Sequence, residues 1–220
     1  AWMKLAVDDP QSPRYGLLRH TINPNGTVTG RASHFGPNLA QVPATRAPYG
    51  KECRELFTVP EGYQLVGCDL SGIELRCLAH FMQDGGAYAK EILEGDIHSA
   101  NAAAMGISRD EAKTAIYCMI YGGGDRRLGE AVNGTAKEGR ALRTKFYQSN
   151  PAFENLLKAI SEVIRRRKHL SGLDGRKLLA RTEHGQLNVL LQSAAALIAK
   201  QWVLLIDKAI KQENLDAEII

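Results

Sequence analysis

With 220 residues, 44% of them hydrophobic and 24% charged, the chain has the size and composition of an ordinary soluble globular protein that can bury a full core in one domain or two small ones. Its four cysteines form no CxxC pair, which argues against a zinc site or disulfide framework and fits a reducing cytosol. No signal peptide opens it and no apolar run approaches the roughly 20 residues of a bilayer span, so a cytoplasmic protein without a membrane partner is expected. A net charge of +4 permits a nucleic-acid partner without establishing one.

In chain order, residues 1 to 13 read as an irregular lead-in, and a start at Ala1 without a methionine hints at a fragment or processed product. Asn25-Gly26 sits between alternating segments over 17 to 34, a hairpin signal. Prolines and glycines make 36 to 50 irregular. The run GYQLVGCDL (62–70) predicts a buried strand, followed by a helix from near Ser71 through LRCLAHFM. Two short helical pieces fill 84 to 108, punctuated by Gly85-Gly86, Gly95 and Gly106. Ser108 and Glu111 predict a capping box for a helix that Gly122 stops. Amphipathic helices follow at 135 to 148 and 151 to 169, the second with Pro151 in its first turn. Asp174-Gly175 marks a second hairpin, and a long helix spans about Gln186 to Gln212. The chain is therefore α+β and mostly helical, with a few strands near its start and near 170 to 182.

The helix in SRDEAKTAIYCMIYGGG carries Arg109, Lys113, Tyr117 and Tyr121 at steps of four, on one face. A solvated face is the bland explanation for such a stripe. It leaves the tyrosines without packing, and both cations lie in the first half, where the helix dipole disfavours positive charge. An anionic ligand with a flat moiety, shaped like a nucleoside triphosphate, explains both features. Asp69 ends an apolar run before a helix, where an unpaired carboxylate is costly. Two readings stand equal on the residues alone: coordination of a hard cation such as Mg²⁺, or a helix cap with a Ser71–Glu74 capping box.

CDLSGIELR resembles motif A of family A (polymerase I-like) DNA polymerases, and RDEAKTAIYCMIYGGG resembles their motif B. TGRASHFGPNLAQVP (29–43) is similar to the palm segment that precedes motif A. EGDIHSANAAAMG (94–106) is similar to the fingers segment with a phosphate-binding histidine. GLDGRK and HGQLNVLLQSAAALI also match, in the family's order, and several motifs in order are specific where one would not be. LSGIELRCLAHFM and Tyr117 look most like phage replicative enzymes of the podovirus type.

The resemblance implies a right-hand polymerase, with a palm built on a partial antiparallel sheet and helical fingers. Palm would occupy 1–80, fingers 81–183, and palm again 184–220. Asp69 and the Leu70 carbonyl would bind the two Mg²⁺ ions of a two-metal nucleotidyl transfer. Arg109, Lys113 and His98 would bind the triphosphate, with Lys113 counted beside Asp69 as catalytic. Glu74 would be the steric gate against a 2′-hydroxyl, Tyr117 would pack beside the incoming sugar and base, and Tyr121 would lie near the template base. Arg31 would read the minor groove. Asn38, Gln41, His184, Asn188 and Gln192 would line the primer-template DNA. The basic run RRRK at 165–168 reads as a solvated or phosphate-touching face.

The family's motif C, a His-Asp-Glu on a hairpin, has no match in residues 1–220. The expected function is template-directed DNA synthesis from deoxynucleoside triphosphates, completed by a missing C-terminal segment or a second polypeptide, with these residues inactive alone. The alternative is a non-catalytic nucleotide- or DNA-binding fragment of a split polymerase. A phage RNA polymerase relative is a third possibility, opposed by Glu74 in the gate position.

Overall fold

The computed structural model describes residues 6–12, 15–180 and 182–219. Of the expected lead-in, 6–12 is irregular, and residues 1–5 and 13 lie outside the described residues, as does 181 near the second hairpin. The chain divides into two compact units, Ala1–Leu70 and Ser71–Ile220.

In the first unit, β1 (Thr21–Asn23) pairs antiparallel with β2 (Ser33–Phe35), Ile22 opposite His34. The hairpin expected there forms, but Asn25-Gly26 is not a two-residue turn. The connection runs over 24–32, with the left-handed position at Gly30 (φ 78°). Thr27 organises it, its hydroxyl accepting from the Arg31 amide at 3.0 Å. Gly26 is needed for a different reason: a Cβ there would collide with the Ser33 hydroxyl. A 3₁₀ turn, Leu39–Gln41, and α1 (Gly50–Glu55) complete the ordered pieces.

The run 62–70 is not a buried strand. It forms no ladder, and Leu65 and Val66 are 59% and 79% exposed. Hydrophobic patterning makes a segment strand-compatible, but a strand also needs a partner for its backbone N–H and C=O groups. No such partner pairs with it among the described residues.

The second unit is a helical assembly of α2 (Ile73–Met82), α3 (Ala87–Glu94), α4 (Ile97–Met105), α5 (Arg109–Ile120), α6 (Asp125–Glu130), α7 (Ala136–Ser149), α8 (Pro151–Arg167) and α9 (Gln186–Gln212). Between α8 and α9 lies the small hairpin β3 (Leu170–Ser171) and β4 (Lys177–Leu178), with Gly175 at φ 78° supplying its turn. The Ser71–Glu74 capping box, one of the two readings of this helix start, is absent. Gly72 occupies the N-cap at φ 60°, which puts Glu74 at the second helical position, one short of where a box requires it. The helix α8 stops at Arg167 because Lys168 turns left-handed (φ 62°).

Leu78, Met105, Ile116, Ile120, Leu128, Phe146, Phe153 and Leu191 are buried in one core. Each such side chain stabilises the fold by about 1.5–3 kcal/mol relative to exposure. The apolar face of α5 (Ala112, Ala115, Ile116, Met119, Ile120) lies in that core, which leaves its polar stripe facing outward. The helices α6 and α7 approach closely at glycines: a Cβ on Gly139 would strike the Asp125 carbonyl, and one on Gly129 the Thr135 carbonyl.

The helix α9 corrects one expectation. With its preceding turn it is long and apolar enough to cross a membrane by length and composition, with a mean hydropathy of 1.7 in its most apolar window. Its first half (Leu187, Leu190, Leu191, Ala194, Ala195) belongs to the core, where a helix needs apolar residues on much of its circumference.

Candidate functional site

The stripe on α5 survives folding. Ser108 and Glu111 form the expected capping box: the Ser108 amide donates to Glu111 Oε2 at 2.9 Å and the Glu111 amide donates to Ser108 Oγ at 3.3 Å. One residue on, the Arg109 guanidinium forks onto Asp96, Nε to Oδ2 at 2.7 Å and Nη2 to Oδ1 at 3.3 Å. Asp96 is also the N-cap of α4, accepting from the amides of His98 (3.1 Å) and Ser99 (3.4 Å) and from the Ser99 hydroxyl (2.9 Å). Hydrogen bonds from Arg109 and Ser99 hold its carboxyl well below the usual carboxylate range. The cation set against the dipole of α5 therefore has a counter-charge within the chain. Lys113, a turn further along, is exposed and has no ion pair among the described residues.

His98 is half-buried, its ring 6.5 Å from that of Tyr117. Burial, then the charges of Arg109 and Lys113, push its pKa below the ordinary 6.5. Its buried Nδ1 has no hydrogen-bond partner among the described residues. Tyr117 in turn stacks on Tyr121, with centroids 6.1 Å apart and rings inclined by 29°. Burial and the neighbouring charge of Glu74 raise the Tyr117 phenol. Glu74 on α2, His98 on α4, and Arg109, Lys113 and Tyr117 on α5 thus form one electrostatically connected face, with Tyr121 at its end.

That end is shaped by a Schellman motif. The Gly122 amide donates to the Met119 carbonyl at 3.0 Å and the Gly123 amide to the Cys118 carbonyl at 2.8 Å, with Gly122 at φ 75°. A Cβ on Gly122 would collide with the His184 carbonyl. Bare backbone there lets α5 abut the 3₁₀ turn Glu183–Gly185. A cleft of about 490 Å³ opens beside this corner, lined by Gly123, Asp125, Arg143, Tyr147, His184 and Gln186 among others. Arg143 braces it, donating to Asp125 at 2.8 Å and to the Gly123 carbonyl at 2.8 Å. His184 is exposed in the turn, and Asn188 and Gln192 follow at steps of four, half-buried. The buried Oδ1 of Asn188 has no hydrogen-bond partner among the described residues, so this face holds an unused acceptor.

The other expected residues lie in the first unit. Arg31 and Gln41 are exposed. Asn38 is half-buried and its side chain caps the 3₁₀ turn, accepting from the Ala40 amide at 3.1 Å. Asp69 is exposed and Leu70 half-buried. Among the described residues no group of three or more His, Cys, Asp or Glu side chains gathers to hold a metal ion.

Sequence reasoning missed the partner of Arg109 and the Asp125–Arg143 brace. The GDIHS segment signals an N-cap at Asp96, but nothing local to it points to an arginine 13 positions away.

Residues 9–220 match the model of DNA polymerase family A. The chain belongs to that family. It is 40% identical to the DNA-directed DNA polymerase of Escherichia phage T7 over 98% of its own length, spanning 33% of that relative. It is 35% identical to the thermostable DNA polymerase I of Thermus aquaticus, over 75% of this chain and 21% of that one. Its fold matches the POL domain of Pol1 from M. smegmatis, solved with DNA primer-template and dNTP, with a TM-score of 0.81, 24% identity, and coverage of 98% of this chain and 41% of that one.

Proposed function

We propose that residues 1–220 are the palm and fingers part of a template-directed DNA polymerase, with fingers over 81–183 and palm on either side. The observation that carries this reading is the connected face of Glu74, His98, Arg109, Lys113 and Tyr117, where cationic and imidazole donors lie beside an aromatic pair. In this reading Lys113 and Arg109 bind the triphosphate, His98 donates to it, and Tyr117 lies against the sugar and base. Glu74 stands where a 2′-hydroxyl would intrude. Tyr121, His184, Asn188 and Gln192 meet primer-template DNA. In the first unit, Arg31, Asn38 and Gln41 are the residues proposed to contact DNA. Two likenesses support both partners: the M. smegmatis domain was solved with primer-template and dNTP, and the phage relatives are DNA-directed DNA polymerases. The reaction would take place in a bacterial host's cytoplasm.

Magnesium ions, when bound, would activate the primer 3′-hydroxyl and stabilise the leaving pyrophosphate. Asp69 and the Leu70 carbonyl are hard oxygen donors of the right chemistry, but they are only part of such a ligand set. The remainder would come from a His-Asp-Glu segment, a sequence that residues 1–220 do not contain. If no such segment exists, the same face serves a nucleotide-binding module without catalysis.

Lys113→Ala tests the reading. It should weaken binding of a deoxynucleoside triphosphate by about tenfold to a hundredfold, the size of a charge-assisted hydrogen bond, and leave the nucleoside unaffected. Unchanged triphosphate affinity would remove Lys113 from the site.

A further inference from the structure

Asp96 makes five hydrogen bonds and belongs to two helices at once. It caps α4 through the His98 and Ser99 amides and the Ser99 hydroxyl, and it takes both prongs of Arg109 from α5. Neither partner is deeply buried: the side chains of Arg109 and Asp96 remain 53% and 42% exposed. Exposed ion pairs contribute little to stability. A capping role alone would be met by a serine or asparagine. The fork geometry does something that a cap does not, because it fixes the plane and position of a guanidinium that otherwise swings on a flexible stem. The fork uses Nε and Nη2, and Nη1 has no hydrogen-bond partner among the described residues, so its donors can serve another acceptor.

We infer that Asp96 is a positioning residue for phosphate recognition: it locks Arg109 beside His98 so that both present donors to the same polyanion. This rests on the reading of the α5 face as a triphosphate site. Fixing Arg109 in advance removes rotamer entropy that the ligand would otherwise have to overcome. Because one carboxylate holds the first turn of α4 and the first residue of α5, it also sets the spacing between the two phosphate donors. The counter-charge has a second consequence. It keeps Arg109 from recruiting isolated small anions, while a polyanion that also reaches Lys113 and His98 still gains several contacts.

The test is a double-mutant cycle on the full chain, read by titration with dATP and, as control, deoxyadenosine. Asp96→Asn keeps an N-cap residue and nearly the same shape but removes the charge that orders Arg109; Asp96→Ser is a second variant that also caps. With Arg109 present, both should weaken dATP binding by about tenfold, with deoxyadenosine binding and the thermal midpoint little changed. In an Arg109→Ala background the same substitutions should have no further effect. An equal loss in both backgrounds would show that Asp96 acts only through its helix cap, and unchanged or tighter dATP binding would show that it competes with phosphate; either overturns the inference. If Arg109→Ala alone leaves dATP binding unaffected, the reading of the face itself fails, an outcome distinct from the other two.

Discussion

At the scale of single residues, the charges around Tyr117 and His98 make measurable claims. Glu74 is one cause of the raised Tyr117 phenol, after burial. Glu74→Gln should therefore lower the Tyr117 pKa while leaving it above 10, since the burial remains; ultraviolet titration of wild type and variant checks this. If Glu74 also closes over the incoming sugar, Glu74→Ala should admit ribonucleotides more readily, whereas equal losses toward both sugars would reduce it to a structural group. For His98 the sign follows from its depressed pKa. As pH falls through about 6.5 the unfolded chain takes up a proton that folded His98 refuses, so its contribution is present above that value and lost as pH falls towards the folded pKa. Replacing it by Gln should flatten the decline of the thermal midpoint as pH falls below about 6.5. An unchanged slope would mean that His98 is not the titrating group. These residues were candidates from sequence because they fall in segments that resemble the family's motifs; the Asp96 fork was not legible, because it joins two helices through space.

At the scale of elements, legibility followed length and local chemistry. The helix α9 starts and stops where its apolar periodicity does, and α5 carries both its capping box and its glycine stop in the sequence itself. The helix α6, with six residues, is shorter than two turns and gives periodicity nothing to register. The run 62–70 failed in the opposite way, because strand formation depends on a partner that local sequence cannot reveal. The stop of α5 invites a test. Gly122 has a left-handed backbone and faces the His184 carbonyl at contact distance. Gly122→Ala should destabilise the second unit by at least about 1–2 kcal/mol, the cost of a left-handed non-glycine residue, before the clash is added. Gly175→Ala provides the comparison, because its turn is also left-handed but open on every side. The excess loss at Gly122 in chemical denaturation measures the close approach of α5 to the turn before α9. Equal losses would show that the approach relaxes without penalty.

At the scale of the whole molecule, binding and chemistry should separate. The proposed triphosphate face lies within Ser71–Ile220 and draws on α2, α4 and α5, which share one core, so on that proposal nucleotide binding needs no group from outside this unit. Catalysis does. Two-metal transfer requires several oxygen ligands converging on ions about 3.5–4 Å apart, and among the described residues Asp69 has no cluster of acidic or imidazole neighbours to complete such a set. A net charge of +4 is small, and any charge-driven hold on DNA weakens steeply as salt rises. Residues 1–220 are therefore expected to bind a deoxynucleoside triphosphate, to hold primer-template DNA only at low ionic strength, and not to extend a primer. Supplying a polypeptide with a His-Asp-Glu hairpin should restore extension, and Asp69→Ala should abolish the restored activity while leaving triphosphate binding by Arg109 and Lys113 intact. Primer extension by residues 1–220 alone, lost on Asp69→Ala, would show instead that these residues assemble a complete metal site without outside ligands.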